Sequence, residues 1–195
     1  SYFGLVPAAL MGLDLDELWN NAKHMMDASH ENIPGQHHPG ISLGVVMAVL
    51  AQQGRDKLTI YSTQSMAAFG DWAEQLVAES LGKLGKSLVP IVGGMIATPA
   101  EYLTDRLFVY LRVDDDSDCE EMDGKVRALR EAGHPRVTLR LPSKYAIAGE
   151  FFRWEFATAV AGSLMKINPF NQPDVESAKT EARKITEEYE KTGSL

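Results

Sequence analysis

Cysteine is nearly missing from this chain. The single Cys119 lies in the polar run DDDSDCEEMDG without an intrachain partner, which excludes a disulfide framework and points to a reducing, cytoplasmic compartment. Positive charge is also in deficit. With 19 Lys+Arg against 27 Asp+Glu the net charge is −8 and no basic block occurs, so nucleic acid is not an expected partner. Apolar runs are short: the longest nearly uncharged stretch, Pro39 to Gly54, is too short in its apolar part to span a bilayer and reads as a buried helix, so no membrane is expected. No G-x-G-x-x-G follows a strand and no Walker loop occurs, which leaves nucleotide cofactors without a seat. No signal peptide opens the chain, and an initiator Met is missing; SYFGLVPAAL starts as if in mid-sequence, the expectation for an excised fragment. Metal motifs are absent too. His37 and His38 are adjacent and point apart, and the acidic run Asp114 to Asp123 lacks the glycine and terminal glutamate of a calcium loop.

What is present suits one folded domain with a terminal appendage. The 195 residues are 45% hydrophobic and 24% charged, enough for a sizeable core and outside the disordered range. Ser1 to Leu13 is apolar, carries Gly4, Pro7 and Gly12, and reads as a connector. Asp14 can cap a helix running to Ser29, and after the breaker ENIPGQHHPG a second helix runs over 41–53, with Gly54 as its stop. KLTIYS (57–62), Leu88 to Val92, RLFVYLRV (106–113) and RVTLRL (136–141) have the β-branched, aromatic character of strands. Helical segments near 69–81, 99–103, 120–132 and 146–164 separate or follow them, and a charged helix closes the chain after NPFNQP. Strands alternating with helices predict a parallel sheet with helices on both faces, in which ligands gather at the carboxyl ends of strands.

Chemistry concentrates in Phe69 to Pro90, FGDWAEQLVAESLGKLGKSLVP. Gln75 and Glu79 are four apart and share a helix face, with Trp72 beside them; Trp72, Leu76 and Leu81 can turn inward, and Gly82 and Gly85 end the helix. A carboxylate between an apolar wall and a loop carrying Lys83 and Lys86 is a candidate proton-transfer base. The loop Ser62-Thr63-Gln64-Ser65, between a strand and a helix, suits either a phosphate cradle or a helix cap.

Three segments in order, GRDKLTIYS, FGDWAEQLVAESLGKLGK and INPFNQPDVESAK, resemble the second half of the phosphoglucose isomerase family, most closely its bacterial form fused to transaldolase. SYFGLVPAALMGLDLDELW and GEFFRWEFATAVAG are similar to the same fusion family, so the resemblance covers essentially the whole chain. It implies a three-layer α/β/α sandwich of the flavodoxin-like, sugar-isomerase (SIS) type. Residues 1–30 would be a connector and helix arriving from a missing upstream domain. Residues 31–195 would form the second of two tandem SIS domains with a C-terminal helix.

By the same resemblance Glu79 matches the base that moves a proton between C2 and C1 of an open-chain sugar phosphate. Gln75 and Gln172 match substrate-contacting glutamines, and Lys179 matches a lysine assigned to ring opening, where it can also stabilise developing negative charge. No cofactor is implied. The partners implied are glucose 6-phosphate or fructose 6-phosphate, the upstream SIS domain that carries the phosphate-gripping Ser/Thr cluster, and a transaldolase domain. The family's ring-opening histidine has no counterpart after Pro90, and His134 reads as a turn residue before Pro135. The competing class is a non-catalytic SIS module that binds a sugar phosphate for regulation.

Overall fold

The computed structural model describes residues 2–83 and 85–194. The chain runs α1 (Tyr2–Leu10), α2 (Leu15–Ala28), α3 (Pro39–Gln52), β1 (Lys57–Ser62), α4 (Ala67–Leu81), β2 (Val89–Ile91), β3 (Arg106–Val113), α5 (Cys119–Glu131), β4 (Arg136–Leu141), α6 (Ile147–Met165) and α7 (Pro173–Thr192). Short 3-10 turns lie at Gln64–Met66, Pro99–Glu101 and Lys144–Ala146. The four strands form one all-parallel sheet in the order β2-β1-β3-β4.

Local chemistry sets the boundaries. Asp14 accepts from the Glu17 amide at 3.0 Å and starts α2, as its position predicts. His38 does the same for α3, its ring accepting from the Ile41 amide at 3.2 Å with Pro39 at the first helical position. Pro90 is tolerated because β2 is an edge strand, where a missing amide donor costs no ladder bond. The segment expected as a connector forms α1, a helix none of whose residues is buried.

Central β3 is apolar toward both faces, as a parallel strand covered on both sides must be. Leu107, Val109 and Leu111 meet Leu58 and Ile60 of β1 under α3, α4 and α6, and this is the larger core. Phe108 and Tyr110 turn to the other face with Tyr61, beneath Val126 and Leu129 of α5 and the flanking Ile96 and Tyr102. The three-layer sandwich predicted from the alternating pattern is therefore present. β4 differs: Val137, Leu139 and Leu141 serve the larger core, while its other face presents Arg136, Thr138 and Arg140. No helix among the described residues is long and apolar enough to cross a membrane.

Helix α6 is the spine of the larger layer, with α2, α3 and α4 all packed against it. A phenyl and indole cluster ties α4 to α6: Phe69 lies 5.6 Å from Phe151 and 5.9 Å from Trp154, and Trp72 lies 4.6 Å from Phe151. Trp154 is fully buried. Between α3 and α6 the backbones nearly touch, since a Cβ added at Gly44 would stand 2.5 Å from the Ala157 carbonyl oxygen. Alanine raises helix propensity over glycine by about 1 kcal/mol, whereas overpacking a tight contact costs about 1–3 kcal/mol. Gly44→Ala is expected to lower unfolding free energy by up to about 2 kcal/mol in urea titrations, the cost less the propensity gain; a gain would show that the two helices have room to spare.

Candidate active site

Topology decides where the candidate residues meet. In a parallel sheet each crossover helix runs back along the strands, so α4 and α6, which share a layer, both finish at the amino ends of the strands. Glu79 stands in the last turn of α4, and the NPFNQP segment begins just after α6. The two are thereby brought together at the amino-end edge. This is opposite to the carboxyl-end crevice where ligands of such sheets usually gather.

There the Glu79 carboxylate accepts two amide hydrogen bonds. Gln75 Nε2 donates to Oε1 at 3.1 Å from one turn earlier on α4, and Gln172 Nε2, 93 residues away in sequence, donates to Oε2 at 2.7 Å. Three of the four predicted site residues thus form one cluster. All three are exposed, beside a cleft of about 100 Å³ lined also by Lys83, Pro173 and Val175. Binding pockets usually hold about 300–1,000 Å³, so the cleft is a fraction of one. Each carboxylate oxygen keeps a lone pair free, and neutral amide donors hold the charge without cancelling it. A carboxylate at a helix C-terminus also faces the negative end of the dipole, a placement costing about 0.3–1 kcal/mol that the two amides offset.

Lys179, the fourth predicted residue, is placed differently. It lies on α7, about 10 Å along the axis from Gln172, and pairs with Glu176 at 3.3 Å on a helix with no buried residue. The lysines expected to flank Glu79 as a basic loop are redirected too. Lys83 and Lys86 exchange backbone hydrogen bonds of 3.0 Å across the turn, and both ammonium groups swing toward α6. Lys86 Nζ donates to the carbonyl of Met165, the last residue of α6, at 2.9 Å. Lys83, only 5% exposed, donates to the Asn168 carbonyl at 3.0 Å and to the Asn171 carbonyl, two main-chain oxygens of the NPFNQP segment. Lys83 is the tether that carries Gln172 to Glu79. Sequence reading missed this role; the signal was a lysine directly after a helix-stopping glycine, where C-terminal carbonyls need donors.

The phosphate-cradle reading of Ser62 to Ser65 is overturned by the chain's own carboxylates. The Ser65 amide donates to Asp116 at 2.9 Å and the Gln64 amide to Asp118 at 3.2 Å. The Ser65 hydroxyl binds Asp116 as well, and Thr63 Oγ1 accepts from the Val113 amide at 3.0 Å. An acidic loop after β3 thus occupies the donors that a phosphate would need. His134 is likewise a joint, bonded to the Pro99 carbonyl at 3.1 Å and stacked edge-on to Phe108, on the sheet face away from α4. Among the described residues no cluster of three or more His, Cys, Asp or Glu could hold a metal.

No protein-family model matches the chain. Among curated proteins it is 30% identical over 218 residues to a glucose-6-phosphate isomerase of Rubrobacter xylanophilus, a match taking in 90% of this chain and 49% of that protein. It is 26% identical over 208 residues to a glucose-6-phosphate isomerase of Methanocaldococcus jannaschii, with 90% and 52% covered. The chain spans about half the length of the curated relatives it matches. A crystal structure of a hypothetical protein from Thermus thermophilus superimposes with a TM-score of 0.79 at 23% identity, over 95% of this chain and 54% of that one, which establishes the fold.

These contacts carry two expected outcomes. Hydrogen bonds made by a buried charged donor are worth about 1.5–3 kcal/mol, so Lys83→Met should lower unfolding free energy by that amount in urea, and an unchanged value would sink the tether. Burial alone would raise the Asp116 carboxyl, but the Ser65 and Thr63 hydroxyls and the Ser65 amide hold it below its ordinary 3.8. Its contribution to stability is therefore full above pH 3.8 and is lost as pH falls through the lower folded value. The stability gap between parent and Asp116→Asn should shrink below pH 3.8, whereas a constant gap would mean the carboxylate bonds add nothing.

Proposed function

We propose that the chain supplies the proton-transfer half of a glucose-6-phosphate isomerase, interconverting glucose 6-phosphate and fructose 6-phosphate, in a protein of the transaldolase-fused kind. The observation that carries this reading is the Glu79 carboxylate held from both sides by Gln75 and Gln172. The similarity to curated proteins of that name supports it, since it covers the segments that contain all three residues.

In this mechanism Glu79 removes the proton on C2 of the open-chain aldose, and the electron pair moves into a C1–C2 double bond while O1 takes up a proton. The resulting cis-enediol gives up its O2 proton to become the enediolate, and Glu79 returns its own proton to C1, leaving the ketose. Gln75 and Gln172 fix the carboxylate over the carbon, because a base misplaced by an ångström forfeits much of its advantage. Lys179 opens the ring or stabilises charge at the sugar oxygens when substrate and the remaining half of the site assemble against α7. The phosphate grip belongs to that other half, since the Ser62 to Ser65 donors are already bound to Asp116 and Asp118. No cofactor takes part.

The test is fructose 6-phosphate isomerisation by the protein at its full natural length. General-base catalysis contributes about 10²–10⁴-fold, so Glu79→Gln should lower turnover by that factor while sugar-phosphate binding persists. A parent protein that binds sugar phosphate without turning it over would make the chain a regulatory binding module instead.

A further inference from the structure

Five of the nine arginines in this chain of net charge −8 line a single open cavity of about 410 Å³ on the sheet face opposite α4: Arg112, Arg127, Arg130, Arg136 and Arg140. The strand register builds it. Arg136, Thr138 and Arg140 alternate along one face of β4, the edge strand, with Tyr110 of β3 opposite Thr138 and Arg112 opposite Arg140. Arg127 and Arg130, three apart on α5, close the side. Like charges placed opposite one another across strands are destabilising, and here one carboxylate relieves them: Asp114 binds both Arg112 and Arg140. Asp123 takes the Arg112 Nε at 3.0 Å. With those two carboxylates spent, Arg127, Arg130 and Arg136 have no acidic partner among the described residues.

Two buried polar atoms mark the floor. The Nε of Arg136 is buried without a hydrogen-bond partner, its terminal nitrogen resting on the Thr138 hydroxyl. Tyr110, only 2% exposed, also lines the cavity, its hydroxyl turned toward the Asp123 carboxylate without closing a hydrogen bond of ordinary geometry. Burial first, then the charge of Asp123 and its pull on the hydroxyl proton, raises that phenol well above its ordinary range, so it remains an O–H donor. A buried donor left unbonded destabilises the fold, a penalty that a bound acceptor removes.

We infer that this cavity is a binding site for a small molecule carrying two or more phosphate groups, separate from the Glu79 cluster and on the other side of the sheet. Three guanidiniums without carboxylate partners match the charge of a diphosphate, and their planar forks suit its paired oxygens where lysines would not. Tyr110 and Thr138 donate from below. A nucleic acid fits poorly, because the charge is confined to one cavity on an acidic molecule.

The experiment is calorimetric titration of the full-length protein with inorganic pyrophosphate, with inorganic phosphate and a hexose bisphosphate as further arms. Pyrophosphate should bind and phosphate should bind at least tenfold more weakly. The bisphosphate arm then separates a sugar-borne pair of phosphates, which would bind more tightly than pyrophosphate, from a directly linked pair, which would not. The double variant Arg130→Gln/Arg136→Gln should lose at least tenfold in pyrophosphate affinity. The charge-matched control Arg183→Gln/Lys191→Gln on α7 should stay within twofold. Tyr110→Phe, which changes no charge and leaves Asp123 paired with Arg112, should weaken binding severalfold while far-UV circular dichroism and thermal unfolding hold. The assignment is overturned if the folded parent ignores pyrophosphate, or if the double variant and its control lose affinity alike.

Discussion

The contact between α4 and α6 is the one on which the candidate site depends. Neither helix contributes a reacting group through its packed face. What they contribute is a common direction and a fixed offset, set by Phe69 and Trp72 against Phe151 and Trp154. Because both helices return along a parallel sheet, their last turns are adjacent by topology. A carboxylate from one and an amide from the loop after the other then need only short side chains to meet. A shift of one helix along the other would separate them, which is why close packing of large rings, with little freedom to slide, suits this position.

The same topology brings the loops after β1 and β3 together at the other end of the sheet, and there the chain has used the space itself. Asp116 and Asp118 take the amides of Ser65 and Gln64 in the crevice that an open α/β sheet generally offers to a ligand. The Glu79 cluster stands instead along the opposite edge, while a cavity of about 740 Å³ beside Ser62, Val92 and Gly93 keeps part of the carboxyl end open. At the amino-end edge Glu79, Gln75 and Gln172 all stand exposed.

Much of the fold was legible in the sequence. β1, β3 and β4 fall where β-branched and aromatic runs lie, and Asp14 caps the helix it precedes, because these signals act over a few residues. Glu79 and Gln75 were legible as one helix face. Gln172 was reached only through family resemblance, since nothing local in NPFNQP predicts a partner 93 residues earlier. The redirection of Lys83 and Lys86 and the capture of Ser65 by Asp116 were not legible, for the same physical reason. Each joins a side chain to main-chain atoms across a long stretch of sequence, and such a bond asks only that a carbonyl or amide be present, which every residue supplies. The arginine cavity was half visible in the alternation of RVTLRL, but its other wall comes from α5 and needed the register of β3 against β4.

The Lys83 ammonium holds its loop chiefly by backbone oxygens, those of Asn168 and Asn171, and this has a bearing on how such a site can change over generations. Substitution at the exposed Phe170 or Gln172 alters what the loop displays while leaving the oxygens that locate it. Position and display are thereby inherited separately. New side chains at the rim of Glu79 then call for no rebuilding of the frame that presents them.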